Sequence, residues 1–154
     1  MPVIRDPAGI AGRLSTIYPA PFAAGLEGRI KRALGDAGGL TQFGVNLTTL
    51  EPGAVSALRH WHTREDEFVY VLAGEVTLIT DAGEEMLAAG MAAAFPAGEA
   101  NAHQLANRGT APVTYLEIGA RASDDEITYP DDDLALVKRD GRRTFVRKSG
   151  EPYE

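Results

Sequence analysis

The 154-residue sequence contains no cysteine. This excludes disulfide scaffolds, thiol nucleophiles, Fe–S clusters and thiolate zinc sites together. It also makes an oxidising compartment unnecessary. Long apolar runs are missing too. The longest charge-free stretch near the middle, between Glu85 and Glu99, is 13 residues of mostly Ala and Gly, too short to span a bilayer. The opening residues, MPVIRDPAGI, hold no apolar core of signal-peptide length. These absences predict a cytoplasmic protein with no membrane contact. Positive charge is in deficit, with 15 Lys and Arg against 22 Asp and Glu for a net charge of −7. Non-specific nucleic-acid binding draws on a basic surface, so no nucleic-acid partner is expected. Histidine is scarce as well, with three copies, and Trp61 is the one tryptophan.

What is present describes one ordinary domain, large enough to bury a core without staples. Apolar residues at 44% and charged residues at 24% are globular proportions. Seventeen Gly and nine Pro promise many tight turns. The chain reads in three parts. Residues 1–39 form an irregular arm, packed on the body or on a partner. Leu26 to Leu34 could form a helical turn or two before Gly35, and Tyr18-Pro19-Ala20-Pro21-Phe22 reads as stiff and extended. Residues 40–121 read as short strands. Glu67–Leu72 and Glu75–Thr80 flank the hairpin signal Ala73-Gly74, and further strand segments follow with turn signals every eight to twelve residues. With almost no helical periodicity and no βαβ alternation, this predicts an all-β antiparallel sandwich or barrel. Residues 122–154 carry an acidic block and then a basic one, read as a solvated extension. Asp140-Gly141 could turn Leu134–Lys138 and Thr144–Lys148 into a terminal hairpin.

The histidines are the most informative feature. His60 and His62 flank Trp61, so on a strand both imidazoles share one face. Glu67 opens the next strand segment after a polar tetrapeptide, and His103 lies in a later one. Three imidazoles and one carboxylate suit one divalent first-row metal such as Zn, Fe, Mn, Ni or Cu. An HxH pair alone also fits two surface histidines on a strand edge.

The surrounding residues carry a resemblance. Gly53-AVSALR-His60-W-His62-TRED-Glu67-FVYVLA-Gly74 resembles the first cupin motif. Gly90-MAAAF-Pro96-A-Gly98-EANA-His103-QLA-Asn107 resembles the second, fifteen residues further on. Two gaps run longer than the usual pattern, Gly53 to His60 and Gly98 to His103, and both fall where loops can absorb them. The resemblance implies a double-stranded β-helix, or jelly roll, with His60, His62, Glu67 and His103 pointing into the barrel as metal ligands. It also implies a structural turn role for Asn107. Isomerases, lyases, decarboxylases and dioxygenases all occur among cupins. A metal-dependent enzyme on a small organic molecule, a metal-dependent binding protein or sensor, and a barrel merely clamped by its metal therefore all stay open.

Several further residues follow from strand parity. With every histidine committed to the metal, an acid or base must be a carboxylate, a tyrosine or water. Tyr115 and Glu117 share one parity of the strand Val113–Gly119. They are the catalytic candidates if they face inward, and a solvent-facing row otherwise. Gln104 and Asn101 flank His103 and could hydrogen-bond a ligand imidazole from behind. Leu58, Met91 and Phe95 are candidate pocket walls. No Lys or Arg lies between Glu65 and Asn107, and Arg59 alternates with His60, so it should point away. That weighs against a phosphosugar isomerase and for a carboxylate-bearing or apolar small-molecule ligand. An outward Trp61 suggests a homodimer.

Overall fold

The computed structural model describes all residues, 1–154. Twelve strands run in chain order as β1 (Arg29–Ala33), β2 (Phe43–Leu50), β3 (Trp61–His62), β4 (Glu67–Ala73), β5 (Glu75–Thr80) and β6 (Gly83–Ala88). They continue as β7 (Ala92–Phe95), β8 (Gln104–Ala106), β9 (Val113–Ala120), β10 (Asp125–Tyr129), β11 (Leu134–Arg139) and β12 (Arg142–Val146). Three antiparallel sheets result, in the orders β1-β2-β9-β4-β7, β12-β11-β10-β3 and β6-β5-β8. This is the antiparallel all-β architecture the strand pattern predicted, in the jelly-roll form the motif resemblance implied. No helix is long and apolar enough to cross a membrane.

The β4–β5 hairpin shows how locally the barrel is determined. Gly74 sits at φ +83°, and a Cβ there would meet the Pro112 carbonyl oxygen at 2.8 Å. Only glycine satisfies both the left-handed backbone and the close approach. Asn107 ends β8 by donating to the carbonyls of Leu50 at 2.9 Å and Ala111 at 2.8 Å, and its Oδ1 accepts from Gly109 N–H. The main core lies between the five-stranded and three-stranded sheets. Leu50, Val71, Val76, Val113 and Tyr115 are its most deeply buried members.

The ends of the chain depart from the sequence reading. Arg29–Ala33 is an edge strand, register-paired with Asn46–Leu50, and the short helix α1 (Leu34–Ala37) follows it. Pairing along β2 overrides the weak helical preference of this segment. Pro19-Ala20-Pro21-Phe22 is not extended, because Ala20–Ala23 winds into a single helical turn, whose start tolerates proline. It presses Tyr18 and Phe22 onto a second apolar cluster of Tyr129, Leu134 and Leu136. The expected terminal hairpin forms as β11–β12, with Asp140 at φ +49° and Gly141 at +77°. It is no solvated tail, because β10 pairs both with β11 and with β3, the strand that carries His62. Asp125 and Lys138, which the charge pattern placed in solvent, are 1% and 7% exposed.

Candidate metal centre

His60 and His103 face each other across an isolated antiparallel bridge. His60 N–H donates to His103 O at 3.1 Å, and His103 N–H to His60 O at 2.9 Å. Directly opposed residues project to the same side, so both rings enter the barrel. His62, two residues on, follows them, and its strand is held by β10. Glu67 begins β4 opposite both Phe95 and Gly119. Three separate chain segments, 60–62, the start of β4 and the segment at His103, thus deliver four donors to one point. The Nε2 atoms of His103, His62 and His60 lie 2.7, 3.1 and 3.5 Å from the Glu67 carboxylate.

The far side of two of the rings holds a hydrogen-bond partner, and that of His103 holds none. His60 Nδ1 lies 2.7 Å from the Leu58 carbonyl, which can only accept, so this nitrogen carries the proton and Nε2 offers a lone pair. His62 Nδ1 lies 2.7 Å from Asp125 Oδ2. Asp125 is fixed in turn by Thr63 Oγ1 and by Arg64 N–H at 2.8 Å. His103 stacks on Phe95 with centroids 3.6 Å apart, and its buried Nδ1 has no protein partner. Three imidazole nitrogens beside one carboxylate form a donor set that fits a divalent first-row ion.

The electrostatics of the cluster follow from burial and crowding. Burial would raise the Glu67 carboxyl, but the three imidazoles outweigh it and hold it well below the usual range. Burial disfavours a charge on His62, yet Asp125 and Glu67 on its two sides raise its pKa to about 10. In the metal-free protein a proton on His62 therefore takes the place of the cation. His103 is pushed below 6.5, first by burial and then by the neighbouring rings, against the pull of Glu67.

The remaining candidate residues divide. Gln104 donates to the Ala57 carbonyl and Asn101 accepts from Asp81 N–H, so neither supports a ring. Asp125 and the Leu58 carbonyl do that work instead, and Asp125 had no local signal because it sits 63 residues from His62. Phe95 is a cavity wall. Met91 is 41% exposed with its sulfur accepting from Ala88 N–H, and the Leu58 side chain packs on the second apolar cluster. Tyr115 and Glu117 both belong to the inward row of β9. Tyr115 is completely buried in the core, away from the cavity, and burial pushes its hydroxyl well above 10. Glu117 lines the cavity and pairs with Lys31 at 2.9 Å. Trp61 is half-buried and lines a small cavity of about 200 Å³ beside the cluster. Arg59 points away as expected, bridging Asp131 and Asp81.

The main cavity is about 460 Å³ and is shared by both sheets that flank the cluster. Six cationic side chains line it against five carboxylates. The cations come from outside the stretch between Glu65 and Asn107 that lacks them: Arg13, Arg29 and Lys31 from the N-terminal side, and Arg121, Lys138 and Arg143 from beyond.

Residues 46–119 match the cupin domain family. The chain superposes on the crystal structure of a sugar phosphate isomerase from a cupin superfamily of Silicibacter pomeroyi. The TM-score is 0.91 at 45% identity, over 96% of this chain and 94% of that one. The chain is a cupin. The cupin is also similar to a protein of Acidithiobacillus ferrooxidans described as a candidate sugar phosphate isomerase. There the TM-score is 0.76 at 35% identity, over 82% of this chain and 80% of that one. A polyketide cyclase of Streptomyces resistomycificus shares the cupin barrel at TM-score 0.64 and 20% identity, over 78% and 79% of the two chains, a likeness of fold alone. None of the curated proteins matches this cupin significantly.

Proposed function

We propose that this cupin is a metal-dependent isomerase of a small sugar phosphate. The observation that carries the reading is the convergence of three Nε2 atoms on Glu67 in a cavity whose cations outnumber its carboxylates. The 45% identity to a sugar phosphate isomerase supports it. His60, His62, Glu67 and His103 would hold one divalent first-row ion, which when bound supplies Lewis-acid polarisation of a carbonyl. Glu117 faces the same space, opposite Val69, with Lys31 beside it. Glu117 can take the proton from the hydroxyl-bearing carbon next to a carbonyl and return it to the former carbonyl carbon, while the proton of that hydroxyl passes to the former carbonyl oxygen. The net change moves hydrogen within one molecule and needs no oxidant. Phe95, stacked on His103, forms an apolar part of the cavity wall beside the metal-binding side chains.

The test is exchange of carbon-bound hydrogen with deuterated solvent, followed by NMR on a panel of aldose and ketose phosphates. Glu117→Gln is expected to lower exchange about 10²- to 10⁴-fold with metal content unchanged. His60→Ala and His103→Ala are expected to lose most bound metal by elemental analysis, with the circular dichroism of a folded barrel retained. Unchanged metal in both histidine variants would remove the ligand assignment. No exchange on any phosphosugar would remove the reaction.

We infer in addition that the protein is a homodimer joined through the outer face of the five-stranded sheet. Phe43, Phe68, Tyr70 and Leu72 are 38–45% exposed there. No charged residue points outward from β2, β9, β4 or β7. An uncharged patch of this kind is compatible with itself about a two-fold axis. Sedimentation is expected to report twice 16.4 kDa, and Tyr70→Lys is expected to halve that mass.

A further inference from the structure

The six cations of the cavity wall are not equivalent. Lys31 is paired with Glu117, Lys138 with Glu65 and Arg121 with Asp36, at 2.9, 2.8 and 2.5 Å. Arg29, Arg13 and Arg143 make no ion pair. Arg29 is the unusual one, being 7% exposed. Its Nη1 donates to the Ser56 carbonyl at 2.6 Å and its Nη2 to the Ser15 carbonyl at 3.4 Å, while its buried Nε has no partner. A guanidinium does not escape burial by losing its proton. Its charge stays uncompensated and one of its donors stays unmade, and both cost stability. An anion in the cavity that Arg29 lines compensates the charge.

The registers bring the other two arginines to the same space. Arg13 is bridged to Lys31 by backbone hydrogen bonds of 2.7 and 3.0 Å, so it shares the face from which Lys31 reaches Glu117. Arg143 is the register partner of Lys138, whose side chain reaches inward to Glu65 from the second sheet. Arg13 and Arg143 are exposed where Arg29 is buried, so they stand at the rim with Arg29 at the wall. Three guanidinium groups offer more donors than one carboxylate can accept. A phosphate, with three acceptor oxygens and nearly two charges, matches them better.

We propose that Arg29, with Arg13 and Arg143 at the rim, anchors the phosphate of a small sugar phosphate and thereby aims its carbonyl end at the imidazole cluster. Binding energy gathered at this remote group positions the reacting carbons. The inference rests on the substrate class proposed above, though not on the reaction.

The experiment is calorimetric titration of inorganic phosphate, ribose 5-phosphate and ribose into the purified protein, before and after chelator treatment. Both phosphate compounds are expected to bind, more weakly as salt rises, and to keep binding after chelation. Arg13→Gln combined with Arg143→Gln is expected to weaken both at least about tenfold, as for loss of a charge-assisted hydrogen bond, and to leave ribose unchanged. Arg29→Lys keeps the charge but removes the Nε–H, and is expected to weaken both as well. Should Arg29→Lys fail to fold, the rim pair decides alone. Phosphate affinity unchanged by the rim substitutions, or abolished by chelation, overturns the anchor. Arginine-dependent phosphate binding without hydrogen exchange overturns the isomerase and leaves the anchor standing. Exchange with arginine-independent binding does the reverse.

Discussion

His62 lies between two carboxylates, Asp125 on Nδ1 and Glu67 on Nε2, and this position makes its proton and the metal competitors. Metal uptake must displace a proton from a group whose pKa is raised to about 10, so affinity is expected to rise with pH across the neutral range. Stability of the metal-free protein runs the other way. The raised His62 value contributes fully below its ordinary 6.5 and is lost as pH climbs through about 10. The lowered Asp125 value contributes above its ordinary 3.8 and is lost as pH falls through the depressed value. The pair therefore supports the chelated protein most between 3.8 and 6.5. Thermal unfolding of chelated protein at pH 5 and pH 10 is expected to show the higher midpoint at pH 5. Asp125→Asn is expected to narrow that difference and to lower metal affinity about 10- to 100-fold, as loss of a carboxylate behind a ligand imidazole does. Competition against a colorimetric chelator measures the latter.

At the scale of elements, the hairpins hold the sheets in register and their turns tolerate little. Gly74 combines φ +83° with a carbonyl oxygen 2.8 Å from any Cβ. Gly74→Ala is expected to cost about 1–3 kcal/mol from the backbone strain alone, read as a lowered urea midpoint with an unchanged slope. Gly141→Ala lies at φ +77° in open space and is expected to cost only the lower end of that range. Both hairpins were legible in the sequence because Ala-Gly and Asp-Gly turns act within a few residues. Arg29–Ala33 was not, since a short segment becomes an edge strand only when β2 is there to pair with it.

Across the whole molecule, the C-terminal hairpin is tied to the metal-binding part by Lys138 and Glu65, a buried pair at 2.8 Å. Removing one partner leaves the other charge buried and alone. Lys138→Ala is expected to destabilise by about 3–5 kcal/mol. Lys138→Met with Glu65→Gln keeps an acceptor for the Ala122 N–H and is expected to recover most of that loss in urea unfolding. The same closure explains the cavity. β10 holds β3 and supplies Asp125, while β11 and β12 bring Lys138 and Arg143 to the cavity that Lys31 and Arg13 also line.

The sequence by itself determined an antiparallel barrel through strand alternation and turn glycines, and its resemblance to the two cupin motifs implied the four metal-binding candidates His60, His62, Glu67 and His103. Strand parity also put Tyr115 and Glu117 on one face, without saying which face or how deep. Only the tertiary structure decided the inward side, the distance of Tyr115 from the cavity, the Asp125 carboxylate behind His62 and the cationic lining. Each of these joins residues from distant parts of the chain, as Asp125 and His62 do across 63 positions. Contacts of that kind have no period or spacing to betray them, and exist only once the sheets have closed on one another.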